Sequence, residues 1–189
     1  MTREVIVQIR AWQCGDEVLA AAAAQHMSPA SLANRFLAGT GGRLPASYLR
    51  HIATGPRPTW DAHVAVGDGH LIGWAEYGRI PADSPVADLA VIVADPWQRR
   101  GVASALIRAL LPRLTAAGVD ELGADTLPGN RAIHGLLASL FSGRQEVSYQ
   151  DGVVHYTLRL RNSVADPLGD AGPPGTAPPI ERTPLLTAV

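Results

Sequence analysis

Apolar and polar positions first alternate over Val5 to Trp12, with Val5, Val7 and Ile9 set against Ile6, Gln8 and Arg10. That period of two predicts a strand, apolar on both faces at its start. Asp16-Glu17 then opens an alanine-rich helix through about Gln25, its acidic pair placed where the helix dipole favours it. Ser28-Pro29, a cap followed by proline at the first helical position, predicts a second helix through Leu37. A third, short helix is expected over Pro45 to Ile52, and Gly55-Pro56-Arg57-Pro58 must be a loop. The pattern then becomes strand-like. Ala62 to Val66 and Leu71 to Gly78 flank a Gly67-Asp68-Gly69 hairpin turn, and Asp88 to Val93 reads as a fully buried central strand. A long helix follows from about Arg99 to Ala116, with Val102, Leu106, Leu110 and Leu114 in one stripe and Pro112 expected to kink it or shorten its last turn. Glu121 to Thr126 predicts a strand, Asn130 to Leu140 a helix, and Val153 to Leu160 the last strand.

Composition changes that picture in one place. Six of the 27 residues from Ser163 to Val189 are proline, three are glycine, and the apolar positions lose their period. The expected organisation is one folded domain over residues 1–162 and a mobile Pro/Gly-rich tail over residues 163–189. The 189 residues are 47% hydrophobic, which excludes a disordered chain as a whole. No apolar run reaches the roughly 18 residues of a membrane span, and the first residues lack a secretion-signal pattern. A single cysteine, Cys14, excludes an internal disulfide framework and fits a reducing, cytoplasmic setting; a semi-buried place is expected for it. The net charge of −1 argues against a dedicated nucleic-acid binder. All 16 basic residues are arginine, so no lysine is present to act as a nucleophile or Schiff base. No metal site is expected, because no His/Cys/Asp cluster has ligand spacing.

Candidate chemistry concentrates in the run from Val91 to Ser104. A strand enters a short loop, and the loop opens a helix with Gln98-Arg99-Arg100-Gly101-Val102-Ala103 at its N-terminus. Unpaired backbone N–H groups and the positive end of the dipole make an anion cradle there. Gly101 permits close approach of a phosphate, and Arg99 and Arg100 add charge. Neither the Gly-Lys-Ser/Thr of a nucleotide P-loop nor a GxGxxG fingerprint is present.

Gln98 to Ala103 resembles, position by position, the acyl-CoA-binding motif of the GNAT superfamily of N-acetyltransferases, with Ala103 in place of the second glycine. Val91-x-Val93 is similar to that family's splayed strand, and Asn130 matches an asparagine often found near the pantetheine arm. The resemblance spans about residues 5–160. It implies an α/β fold with a central mixed, mostly antiparallel sheet flanked by helices. It implies acetyl-CoA as acyl donor, held by Val91, Ile92, Val93, Gln98, Arg99, Arg100, Gly101, Val102, Ala103, Ser104 and Asn130. A narrower likeness joins Ser28-Pro29-x-Ser31-Leu32-x-x-Arg35-Phe36 and Leu49-Arg50 to the helical segment of bacterial protein-lysine acetyltransferases. There a glutamate at the start of the motif strand is the general base, and its counterpart is Asp88.

Acetyl transfer to an amine requires loss of a proton from the amine, stabilisation of the carbonyl oxygen and departure of a thiolate. Asp88 is the first candidate for the base and Glu76, on the hairpin strand, the second. The position where many family members carry a proton-donating tyrosine is Leu137. The acceptor implied is a protein lysine, with a small amine as the other enzymatic reading. An acyl-CoA-binding sensor or interaction module without turnover remains a third. Partners expected are acetyl-CoA and the acceptor amine, with no nucleic acid or membrane, in a monomer or homodimer.

Overall fold

The computed structural model describes residues 6–160. The tail expected over residues 163–189 lies outside them. Seven strands form one sheet in the order β1-β2-β3-β4-β5-β7-β6. They are β1 (Val7–Ala11), β2 (Trp60–Gly67), β3 (His70–Gly78), β4 (Val86–Val93), β5 (Glu121–Thr126), β6 (Gln145–Gln150) and β7 (Val153–Arg159). All neighbours are antiparallel except β4 and β5. A parallel pair needs a crossover, and helix α4 (Val102–Ala116) supplies it. The other helices are α1 (Asp16–Ala23), α2 (Pro29–Phe36), α3 (Ala46–Ala53) and α5 (Arg131–Leu140). No helix among the described residues is long and apolar enough to cross a membrane.

The sheet separates two cores. On one side α4 and α5 bury Leu106, Ile107, Leu110, Leu114 and Leu137 against Leu89, Val93, Leu122 and Leu158. Each such aliphatic side chain stabilises the fold by roughly 1.5–3 kcal/mol relative to exposure. On the other side α1, α2 and α3 bury Ala20, Leu32, Tyr48 and Ile52 against Trp60, Val64, Trp74 and Ile92. Trp60 and Trp74 are both fully buried there.

The structure corrects the sequence reading in four places. Strand β6 was not anticipated; its Val147 and Tyr149 are exposed, so pairing with β7 rather than burial maintains it. β4 is not buried on both faces, since Asp88, Ala90 and Val91 are only half-buried. α4 begins at Val102, not Arg99, because Arg99 (φ 60°) and Gly101 (φ 81°) have left-handed backbones incompatible with a continuing helix. Cys14 is exposed. The helix runs on through Pro112 to Ala116.

Candidate active site

The parallel ladder between β4 and β5 is short, pairing only Val86 with Glu121, Ala87 with Leu122 and Asp88 with Gly123. Beyond that point β4 stays with β3 as far as Val93, and β5 stays with β7 as far as Thr126. The two strands therefore diverge, and the backbone groups of Leu89 to Val93 that face away from β3 have no partner in β5. A cavity of about 660 Å³ opens at this divergence, lined by Leu89–Val93, the start of α4, the end of β5, α5 and the α2 helix.

At one end lies the loop before α4. A 3-10 turn over Asp95–Trp97 leads to extended Gln98, then to the two left-handed residues Arg99 and Gly101. The amide of Ala105 donates to Gly101 O (3.0 Å), the first such bond of α4. The amides ahead of it are directed out of the helix start. Gly101 has open space where a Cβ would stand. Arg99, Gly101, Ala103 and Ser104 line the cavity. Arg100 is exposed beside them with its guanidinium 5.4 Å from the Trp97 ring centre. Val102 instead points into the core, where it is 5% exposed. Trp97 in turn packs on Gly67, where a Cβ would come within 3.2 Å of its ring.

Gln98 lines the cavity, but its amide is committed to the protein. Its Nε2 donates to Val93 O (3.0 Å), Ser31 Oγ (3.0 Å) and Asp95 Oδ1 (3.1 Å). Asp95 also accepts from Ser31 Oγ (2.7 Å) and from the Ser28 amide (3.2 Å). Burial alone would raise the Asp95 carboxyl; the Ser31 and Ser28 donors outweigh it and hold the group below its usual range. This cluster pins the end of β4 to the start of α2, a role that residues 67 positions apart do not reveal in sequence.

The two carboxylates singled out in sequence share one face of the sheet. Asp88 lies opposite Gly78, and Glu76 opposite Ala90. Asp88 is half-buried and lines the cavity at the apex of the divergence. Glu76 is 2% exposed and does not line it. Its oxygens accept from Arg35 Nη2, Tyr48 Oη (3.0 Å) and Trp60 Nε1 (2.9 Å), while Trp74 Nε1 donates to Tyr48 Oη (2.7 Å). Burial, with the Glu76 charge behind it, pushes the Tyr48 hydroxyl well above its ordinary range, so it stays a donor. Arg35 carries this network to the cavity wall, and Arg50 is exposed away from it.

At the far side, Asn130 lines the cavity, and its Oδ1 accepts from the Ile133 amide (3.3 Å) and caps α5. Leu137 stands fully buried in the same wall. His134 is turned away, with Nδ1 2.7 Å from Tyr156 Oη. Thr126, unmarked in sequence, lines the cavity at 4% exposure with no partner for its Oγ1.

An elongated ligand with an anionic group at one end and amides along its length fits these features. Coenzyme A has that form, with a pyrophosphate at one end and amides along its pantetheine arm.

Comparison with known proteins agrees. A family model described as acetyltransferase (GNAT) family matches residues 30–141, more than half of the chain. The GNAT domain of Streptomyces lividans PAT is 26% identical, with TM-score 0.72 over 81% of this chain and 90% of that one. The Salmonella typhimurium protein yncA, solved with its cofactor acetyl-CoA, is 17% identical, with TM-score 0.65 over 84% of this chain and 96% of its own. The Escherichia coli ribosomal-protein-S18-alanine N-acetyltransferase is 16% identical, with TM-score 0.62 over 85% and 98%. No curated protein matches the sequence. With the basic helix start and the divergent strand pair both inside the matched span, the chain belongs to the acetyltransferase (GNAT) family.

Proposed function

We propose that the protein transfers acetyl from acetyl-CoA directly to the side-chain amine of a protein lysine, in the cytoplasm. The observation that carries the reading is the single cavity running from the basic start of α4 to the carboxylate of Asp88. The lysine acceptor rests on the Ser28 to Arg50 helical segment, whose Ser31 and Arg35 line the same cavity. The exposed free thiol of Cys14 favours a reducing compartment.

Acetyl-CoA supplies an activated thioester. The chain holds its pyrophosphate with the amides of residues 101–104 and the Arg99 and Arg100 charges, and its pantetheine with the edge of Leu89 to Val91 that faces away from β3 and with Asn130 Nδ2. A β4 amide near Val91 polarises the carbonyl oxygen. Asp88 takes the ammonium proton, through a bridging water where its shorter side chain falls short, and so exposes the nitrogen lone pair. As the new C–N bond forms and the C–S bond breaks, the nitrogen releases its second proton to water and the leaving thiolate takes a proton from water, because Leu137 has none to give.

Leu137 also favours a second reading, acyl-CoA binding without turnover. One experiment separates the readings: thioester consumption measured with lysine peptides and a panel of small amines. Acetyl-lysine in the peptides by mass spectrometry is the expected outcome. Turnover confined to small amines overturns the lysine acceptor, and CoA binding without turnover on any acceptor favours the binding module.

A further inference from the structure

The face of the sheet that carries Asp88 continues past the cavity. Asp88 pairs with Gly123, so Asp125, two residues further along β5, points to the same side. An undiverged ladder would put the Asp88 and Asp125 Cα atoms about 8 Å apart, and the divergence of β5 from β4 sets them further apart, across the opening. Asp125 lies opposite His155 of β7, and His155 Nδ1 stands 2.8 Å from Asp125 Oδ1. The Asp125 and His155 side chains are 30% and 33% exposed. The α1, α2 and α3 helices cover this face over β2 to β4, so the pair stands at the open end of the site.

A cross-strand His–Asp pair ordinarily adds a little to strand pairing. This one differs in that its carboxylate lines the cavity together with Asp88. A second charged side chain stands in that cavity wall. Arg35, on the α2 wall, is 6% exposed at its side chain, its Nη2 is engaged by Glu76, and its Nε has no acceptor. A ligand on this side therefore meets a carboxylate suited to a cation. The side chain of a lysine carries such a cation.

We propose that Asp125, positioned by His155, binds the ammonium group of the acceptor and delivers its nitrogen to Asp88. This deepens the function proposed above and rests on an amine acceptor. His155 donates to one carboxylate oxygen, fixes the side-chain rotamer and leaves the second oxygen for the ammonium. Asp125 holds the cation before its proton leaves, and Asp88 receives that proton.

The test uses the full chain saturated with CoA and titrated calorimetrically with Nα-acetyl-lysine methylamide and with spermidine, alongside steady-state kinetics with both. Asp125→Asn is expected to weaken amine binding and raise KM by about 10- to 100-fold, the loss of one charge-assisted hydrogen bond. Its kcat should change little, and its CoA affinity should be that of the wild type. His155→Ala should raise KM in the same direction by less, and His155→Gln, which keeps a donor, should restore it. These two variants also serve should Asp125→Asn lower the melting temperature. Unchanged amine affinity and KM in Asp125→Asn overturn the proposal and leave the pair as a tie between β5 and β7. A fall in kcat at constant KM overturns it too, by placing Asp125 in the chemistry. If the wild type binds spermidine and not the lysine compound, the lysine reading fails, and the spermidine titration still decides the role of Asp125.

Discussion

Asp88 and Gly123 are the last residues paired between the parallel strands β4 and β5. The opening beyond them puts a strand edge with no partner in β5, a basic helix start and a carboxylate around one cavity. The site is thus a property of the sheet as much as of the motif. A longer β4–β5 ladder would close it.

The helix start makes the first prediction. Gly101 has a left-handed backbone, and its vacant Cβ position touches nothing. Gly101→Ala and Gly101→Glu should therefore cost similar stability, roughly 1–2 kcal/mol, from backbone strain alone. Only Gly101→Glu adds a negative charge to the cradle, and it should abolish acetyl-CoA binding in a calorimetric titration. Equal affinities in the two variants would remove the basis for placing the pyrophosphate there.

Glu76 and Asp88 should part company in a stability measurement. Glu76→Gln weakens the carboxylate that Arg35, Tyr48 and Trp60 share and leaves the buried Arg35 charge uncompensated. Removing one partner of a buried pair costs about 3–5 kcal/mol. Urea denaturation should show a loss of that order for Glu76→Gln and little for half-buried Asp88→Asn. A stable Glu76→Gln enzyme without turnover would make Glu76 the base.

How far the sequence foretells this site depends on how local each feature is. The Ser28 cap and the Glu121 to Thr126 strand are written in neighbouring residues, and the structure places them where the pattern does, while the Gln98 to Ala103 motif opens its helix three residues later than the pattern has it. Strand β6 escaped because Val147 and Tyr149 alternate without being buried. The Asp151-Gly152 turn, left-handed at both residues, was the signal that marks its hairpin with β7. The tie from Gln98 to Ser31, the cage around Glu76 and the Asp125–His155 pair join residues far apart in the chain. No local pattern encodes them, since only sheet register and helix packing bring them together.

Thr126→Val should separate the free and bound states. The valine keeps the shape and removes an orphan buried hydroxyl, so the free protein should gain stability, by about 1–3 kcal/mol at most. If the pantetheine satisfies that hydroxyl, CoA affinity should fall at the same time. Thermal melts with and without CoA read both effects. A variant that is more stable and binds CoA equally well would show that Thr126 does not meet the ligand.

Two histidines set a pH dependence. Burial, helped by Arg57, lowers His51, and burial, helped by Arg113, lowers His63. Their folded pKa values lie below an unfolded value of about 6.5, so the unfolded chain binds more protons just under that pH. The stability they contribute is complete above about pH 6.5 and is lost as pH falls through the folded values. The melting temperature should decline from about pH 7 to about pH 5.5, and less steeply in a His51→Gln, His63→Gln variant. Identical slopes would contradict the assignment.

The central claim is that Asp88 accepts the proton of a lysine amine at the strand divergence. Its most direct test is the turnover of Asp88→Asn with a lysine peptide, read as CoA release, in protein shown by calorimetry to bind acetyl-CoA normally. The predicted result is a fall in kcat of about 10²- to 10⁴-fold, the usual contribution of a positioned general base, with a residual rate that rises with pH and activity retained in Asp88→Glu. Wild-type turnover in Asp88→Asn would contradict it.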